Sequence, residues 1–341
     1  MKPKKLLLAG SHAATPAYAV TQEIKKRKLP WEIHFIGKRW STEDKKSETL
    51  EYLELPKLGV KFHSIDPGKV QTKFTRYTLS AFFKIPFGFI QSLVQVAKVR
   101  PDATLSFGGA GGAEVTFWSW IMGIPVIVHE QTSVAGRANI FSARFAKQIM
   151  ISRDASRKFF PPSKTILAGN PLSPQLGQPS VRPFPHTLLV TGGSRGSVRI
   201  NEAIEKIMPR LKSKFVVIHL TGTGKGRLSI SQMADALKKA DIVVARAGAN
   251  TTAEIIALKK PSVLVPIPWT YMNEQTRNAE FAKEFGIARI LPQDELTPER
   301  LEDEIQKLAE DYPNIIEKVK GKVSPDVNAT KKVVDILEKY I

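Results

Sequence analysis

Cysteine is absent from the 341-residue chain, which excludes disulfides and thiolate metal sites and fits a reducing compartment. No apolar run approaches the ~18 residues that a helical membrane span needs. The opening "KKLLLAG" is too short for a secretory signal and reads as a first strand, so a cytoplasmic location is expected. No D-x-D occurs, and the six histidines are scattered without a carboxylate cluster at ligand spacing, so neither a metal nor a cofactor is expected. Acids are in short supply: 51 Lys and Arg face 32 Asp and Glu, a net charge of +19. Residues 1–170 hold 26 bases against 12 acids and residues 171–341 hold 25 against 20, so the positive field belongs to the first half. Such a field attracts anionic lipid, phosphorylated substrates or nucleic acid. No reader motif organises the basic residues, which argues against nucleic acid.

With 42% hydrophobic and 24% charged residues the chain reads as globular, and its length supports two domains with separate cores. Strand-like runs alternate with helical stretches: "KKLLLAG", 16–28, "WEIHFIG", 84–99, "ATLSFGG", 112–122 and "IPVIVHEQ". This rhythm predicts parallel strands with crossover helices. The segment 170–186 then carries five prolines and reads as a linker. A second series follows: "TLLVTGG", 197–212, "FVVIHLTG", 231–239, "DIVVARAG", 251–259 and "PSVLVPIP". Ligands of open α/β sheets bind beyond the carboxyl ends of the strands, where the glycines of "SFGGAGGAEV" and "TGGSRGS" lie. Neither loop is a GxGxxG or a P-loop. Backbone N–H groups at such strand-to-helix turns suit phosphate. At "RAGANTTAEI" (246–255), Thr251 and Glu254 also have the spacing of a capping box.

The stretch "RAGANTTAEIIALKKPSVLVPIP…NEQTRNA", together with "GGSRGSVRIN", "GIPVIVHEQTSVAGRANIFSARFA" and "AGNPL", resembles the MurG family of UDP-N-acetylglucosamine transferases. These glycosylate undecaprenyl-pyrophosphoryl-N-acetylmuramoyl-pentapeptide in peptidoglycan synthesis. The resemblance runs over nearly the whole chain. It implies a GT-B architecture: a Rossmann-like acceptor and membrane-side domain over 1–168, a linker over 169–186, and a Rossmann-like donor domain over 187–325, the two facing a cleft. A helix at about 326–341 is expected to pack back on the first domain. By the same matching, Glu254 accepts from the ribose hydroxyls of UDP, while the N–H groups around Gly248 and Ala249 hold the diphosphate beside Thr251. Ser194 contacts phosphate, Asn201 supports that loop and Arg246 braces the site. Gln275 and Asn278 reach the sugar, and Ile230 and Met233 border the uracil pocket. Gly108, Gly109 and Asn139 fall in the acceptor diphosphate loop. His12 is the base, with His129 and Glu130 as the alternative.

The departures fall mostly in the acceptor half. The family's "GGTGGH" loop is here "AGSHAATP", and Ala110, Thr132 and Ser173 replace a tyrosine, an asparagine and an arginine of the pattern. About 20 residues between "HLTG" and "SISQM" are missing, so a second domain lacking one helix is expected. The resemblance implies inverting, metal-independent transfer to a polyprenyl-diphosphate-linked acceptor. The alternatives are a related transferase with another lipid or glycan acceptor, and a catalytically silent UDP-sugar-binding protein. Residues 69–100 carry six Lys or Arg, five Phe and no acid. Lys73, Arg76, Phe82, Phe83, Lys84 and Phe87 are therefore candidates for contact with the inner face of an anionic membrane. Oligomeric state is not legible.

Overall fold

The computed structural model describes residues 3–41, 47–68, 78–177, 186–193, 196–222 and 228–341, and only the helical backbone of 78–84. Lys73, Arg76 and Ser194 lie outside the described residues, as do the side chains of Phe82, Phe83 and Lys84. The chain divides into two compact units, Met1–Ser173 with Asn328–Ile341, and Pro174–Val327. Within the expected linker, Gly169–Ser173 belong to the first unit and Pro174–Gly177 to the second.

The first unit runs β1 (Lys4–Ala9), α1 (Ala14–Lys26), β2 (Trp31–Gly37), α2 (Leu50–Glu54), β3 (Lys61–Ser64), α3 (Thr78–Val99), β4 (Ala103–Ser106), α4 (Gly109–Ile121), β5 (Val126–Glu130), α5 (Arg137–Ser142), β6 (Gln148–Ile151) and β7 (Thr165–Leu167). Among the described residues these strands form one sheet of order β3-β2-β1-β4-β5-β6-β7, and every pairing is parallel. Leu6, Leu7, Leu8 and Ala9 are all fully buried. Such unbroken apolar runs belong to strands covered on both faces. On one face Leu7, Ala9, Ile36 and Ile65 meet Val96 of α3 and Val115 of α4.

The second unit runs β8 (Thr187–Thr191), α6 (Val198–Lys212), β9 (Val216–Leu220), α7 (Ile230–Lys239), β10 (Ile242–Ala245), α8 (Ala249–Ala257), β11 (Ser262–Leu264), α9 (Glu274–Phe285), β12 (Ala288–Ile290), α10 (Pro298–Glu310) and α11 (Tyr312–Val319). Its described sheet has the order β12-β11-β10-β8-β9, again parallel. α12 (Ala329–Leu337) returns to the first unit. There Arg27 reaches Asp335 at 2.6 Å and Glu338 at 3.1 Å, while Thr330 bonds both backbone groups of Leu172.

Both sheets reverse their strand order beside the first strand of each unit, between β1 and β4 and between β8 and β10. These switch points place two strand-to-helix loops side by side in each unit. The shortening takes a different form from the predicted loss of a helix alone. α7 supplies the crossover from β9 to β10, and among the described residues no strand lies outside β9 in the place that β3 holds beside β2. β9 is therefore an edge strand without a fully buried residue.

Candidate functional site

In the second unit the backbone leaves β10 extended through Gly248, which is the N-cap of α8 with φ −68° and ψ 147° and no capping side chain. The capping box read from Thr251 and Glu254 does not form, because the helix starts at Ala249 and Thr251 already lies inside its first turn. A Cβ added to Gly248 would meet nothing within 4 Å, so open space adjoins this turn. Glu254, one turn further on, is 6% exposed and receives no hydrogen bond from any described residue. Burial pushes its carboxyl up to about 8. An unpaired buried acid is costly unless something supplies donors to it.

The surrounding loops are tied to one another. Buried Arg246 donates from Nε to Ser197 Oγ at 3.0 Å, from Nη1 to the Val265 carbonyl at 3.1 Å and from Nη2 to Gln293 Oε1 at 2.6 Å. Asn278 is also buried and holds the Ala247 carbonyl through Nδ2 at 3.1 Å. Asn201 Nδ2 donates to the Thr221 carbonyl at 3.1 Å, which leaves its Oδ1 to accept from His219 Nε2 at 3.1 Å. Gln275 Oε1 accepts from Ile267 N–H at 3.1 Å. Ile230 is buried and Met233 half-buried in the first turn of α7. A capping box does form there, between Ser229 and Gln232.

In the first unit, the loops after β1, β4 and β5 lie on neighbouring strands. Gly108 (φ 88°) and Gly109 (φ 78°) open α4 in the left-handed region. A Cβ at Gly108 would stand 2.7 Å from Asn139 Oδ1 and one at Gly109 2.7 Å from Ser11 Cβ. Only glycine lets these loops close on each other. His12 is exposed and left-handed (φ 60°). His129 is fully buried: its Nε2 faces the Gly169 carbonyl at 2.9 Å, and burial drives its pKa down to about 4. It is a neutral, fully buried donor to the core. Buried Glu130 is raised above its ordinary range by desolvation, while Asn139 Nδ2 (2.9 Å), Gly136 N–H (3.0 Å) and Thr132 N–H (3.1 Å) donate to it. It fastens the β5–α5 loop.

Residues 14–151 match the Glycosyltransferase family 28 N-terminal domain and residues 187–339 its C-terminal domain. The UDP-N-acetylglucosamine--N-acetylmuramyl-(pentapeptide) pyrophosphoryl-undecaprenol N-acetylglucosamine transferase of Legionella pneumophila (strain Paris) is 32% identical, across 99% of this chain and 97% of its own. The chain belongs to the MurG family. The enzyme of the same name from Geobacter metallireducens is 33% identical, with 90% of each chain covered. The crystal structure of MurG from Acinetobacter baumannii shares the fold with a TM-score of 0.68 at 22% identity, over 99% of this chain and all of that one. The MurG alignment with the Legionella protein spans 368 positions, more than the chain's 341 residues, so that relative carries residues missing here.

Two buried acids of this MurG-family chain escaped the sequence reading. Glu51 of α2 accepts the Ala13 backbone N–H at 2.8 Å, and Glu114 of α4 accepts from Ser92 Oγ at 2.9 Å. Burial pushes Glu114 up to about 7. Neither partner is near in sequence, and no spacing pattern announces such pairs.

A pH test follows from Glu254. Its folded carboxyl keeps a proton up to about pH 8, whereas the unfolded chain releases it in the ordinary carboxyl range. The contribution of this group to stability is therefore greatest at low pH and is lost as pH rises toward 8. Glu254→Gln, which cannot ionise, is expected to gain stability relative to the native chain between pH 5 and 8. Chemical denaturation without ligand at several pH values checks this, and a constant difference would contradict it.

Proposed function

We propose that the protein transfers N-acetylglucosamine from UDP-N-acetylglucosamine to a lipid-linked muramoyl-pentapeptide precursor of peptidoglycan at the inner face of the membrane. The observation that carries this reading is Glu254: a buried carboxylate with no described donor, one turn inside an uncapped helix at the sheet's switch point. A vicinal ribose diol supplies two donors to such an acid, and the α8 N-terminus with its dipole suits the diphosphate next to it. Ser194, Gln275, Asn278, Ile230 and Met233 are assigned to the same donor on their match to the family motifs.

The acceptor hydroxyl attacks the anomeric carbon in line as the bond to UDP breaks, which inverts the configuration. Charge develops on the leaving diphosphate, where the α8 N–H groups stabilise it without requiring a metal. His12 takes the hydroxyl proton: its imidazole is exposed on the loop after β1, and imidazole is the side chain best suited to proton transfer near neutral pH. The Gly108–Gly109 loop, opened toward the start of α4, is assigned to the acceptor diphosphate.

The lipid side rests on the first unit. Phe87 is 70% and Trp120 47% exposed, with Ile90, Val94, Ile121 and Met122 also exposed. α3 and α4 are joined where Trp118 Nε1 donates to the Phe89 carbonyl. Apolar side chains beside a segment rich in Lys and Arg suit an anionic interface. Among the described residues no helix is long and apolar enough to cross a membrane. A different lipid or glycan acceptor is the second reading. It is favoured by Ser173, which stands where the family pattern has arginine and bonds Gln22 internally at 3.0 Å. UDP release with each lipid-linked acceptor separates the two readings, and UDP binding without turnover would indicate a silent binder.

Glu254→Ala is expected to lower kcat/KM for the UDP-sugar by roughly 10- to 150-fold, since a hydrogen bond to the ligand, charged once the diol's donors hold the ionised carboxylate, is worth about 1.5–3 kcal/mol. Undiminished UDP affinity in the folded variant would reject the assignment. With donor saturating, His12→Ala is expected to lose about 10²–10⁴-fold in kcat, while His129→Ala loses stability and keeps kcat within roughly 10-fold per folded molecule. The reverse pattern would move the base to position 129. For the membrane face, changing Lys73, Arg76 and Lys84 to Glu is expected to weaken sedimentation with anionic vesicles by at least about 100-fold, at about 1 kcal/mol per basic residue. High salt should act in the same direction, and binding indifferent to both would exclude the contact.

A further inference from the structure

His12 holds a left-handed backbone (φ 60°) that costs a non-glycine residue roughly 1–2 kcal/mol. Its two neighbours are clamped. Ser11 N–H donates to the Gly108 carbonyl at 3.1 Å, and Ala13 N–H donates to Glu51 Oε1 at 2.8 Å. Ala13 is the N-cap of α1 and has no side chain able to cap the helix, and Pro16 removes a further donor from the first turn. The acceptor at this helix start is therefore a carboxylate delivered from 38 residues away.

Glu51 is 6% exposed, and burying a carboxylate is expensive. A hydroxyl at position 13 would accept from the Thr15 N–H rather than from the Ala13 N–H, so the latter needs an acceptor from elsewhere. A carboxylate from α2 additionally ties the β1–α1 loop to another element. α2 is itself fixed at the end of β2: Thr49, its N-cap, donates from Oγ1 to the Lys38 carbonyl at 2.7 Å and from its N–H to the Arg39 carbonyl at 2.7 Å. The left-handed turn is thus held between the β4–α4 loop on one side and the end of β2 on the other.

We infer that Glu51 is a positioning residue, which fixes the His12 turn so that the imidazole stands where it can take the acceptor's proton. This rests on the reading of His12 as the base. Displacing a catalytic group by about 1 Å can cost roughly 100-fold in rate. Glu51→Ala is accordingly expected to lower kcat by about 10- to 100-fold, with donor KM and UDP affinity unchanged. Glu51→Gln keeps an oxygen for the Ala13 N–H and is expected to restore kcat to within about threefold of the native chain.

Two further measurements separate the tether from a general structural role. Amide hydrogen exchange at Ala13 is expected to quicken at least about 10-fold in Glu51→Ala and to stay near native in Glu51→Gln. In a His12→Ala background, adding Glu51→Ala is expected to cause no further fall in kcat, as for groups that act as a unit. An undiminished second loss there, or native exchange at Ala13 in Glu51→Ala, would overturn the inference. Full turnover by His12→Ala would instead remove the base, and the positioning role with it. A slow His12→Ala beside an unaffected Glu51→Ala would overturn the positioning role alone. If Glu51→Ala does not fold, Glu51→Asp, one methylene shorter, serves the same comparisons.

Discussion

One buried guanidinium holds the second unit's loops in register. Arg246 donates to Ser197 at the start of α6, to the carbonyl after β11 and to Gln293. Its planar fork meets three acceptors that lie far apart in the chain, a geometry an ammonium could not reproduce. Desolvation lowers its pKa, yet a guanidinium remains charged under any physiological condition. The loop before α6 and the loop before α8 are therefore held to one scaffold beside the open space at Gly248.

The first unit solves the corresponding problem with carboxylates and glycines. Glu130 gathers the β5–α5 loop, Glu51 takes the start of α1, and Gly108 with Gly109 lets the β4–α4 loop approach Asn139 and Ser11. Both units thus fix irregular backbone through side chains, several of which reach over long sequence separations, as Glu51 and Arg246 do. Isolated loops of this length would otherwise leave their polar groups to water.

These distances explain what the sequence disclosed. Two parallel α/β domains were legible because the inner strands of each sheet are apolar runs bounded by turn residues, whereas outer strands such as β3 ("KFHS") and β12 ("ARI") carry no such run; the family was legible because its motifs are local. The capping box at Thr251 failed because Ala245 pairs with Leu264, which sets where the strand ends. The chain then needs only Arg246 and Ala247 before Gly248 turns it into helix. Strand register, a non-local property, decided the cap. His129 offered a local signal of its true place, since it ends the fully apolar run "IPVIV", and a polar residue there faces the interior. Glu51 offered none, because its partner is a backbone N–H that no pattern of side chains reveals.

The lack, among the described residues, of a strand outside β9 changes how securely the central strand is held. β1 is shielded on its outer side by two strands, β2 and β3, but β8 by β9 alone, whose Val216 is 55% exposed. Amides in such a thinly covered strand open at a free energy well below that of global unfolding. Fraying of β9 would uncover the strand that launches the loop into α6 and release the Thr221 carbonyl from Asn201. A molecule bound across that loop would lend to β9 part of its own binding free energy, so this sheet edge is where occupancy becomes visible as slowed exchange.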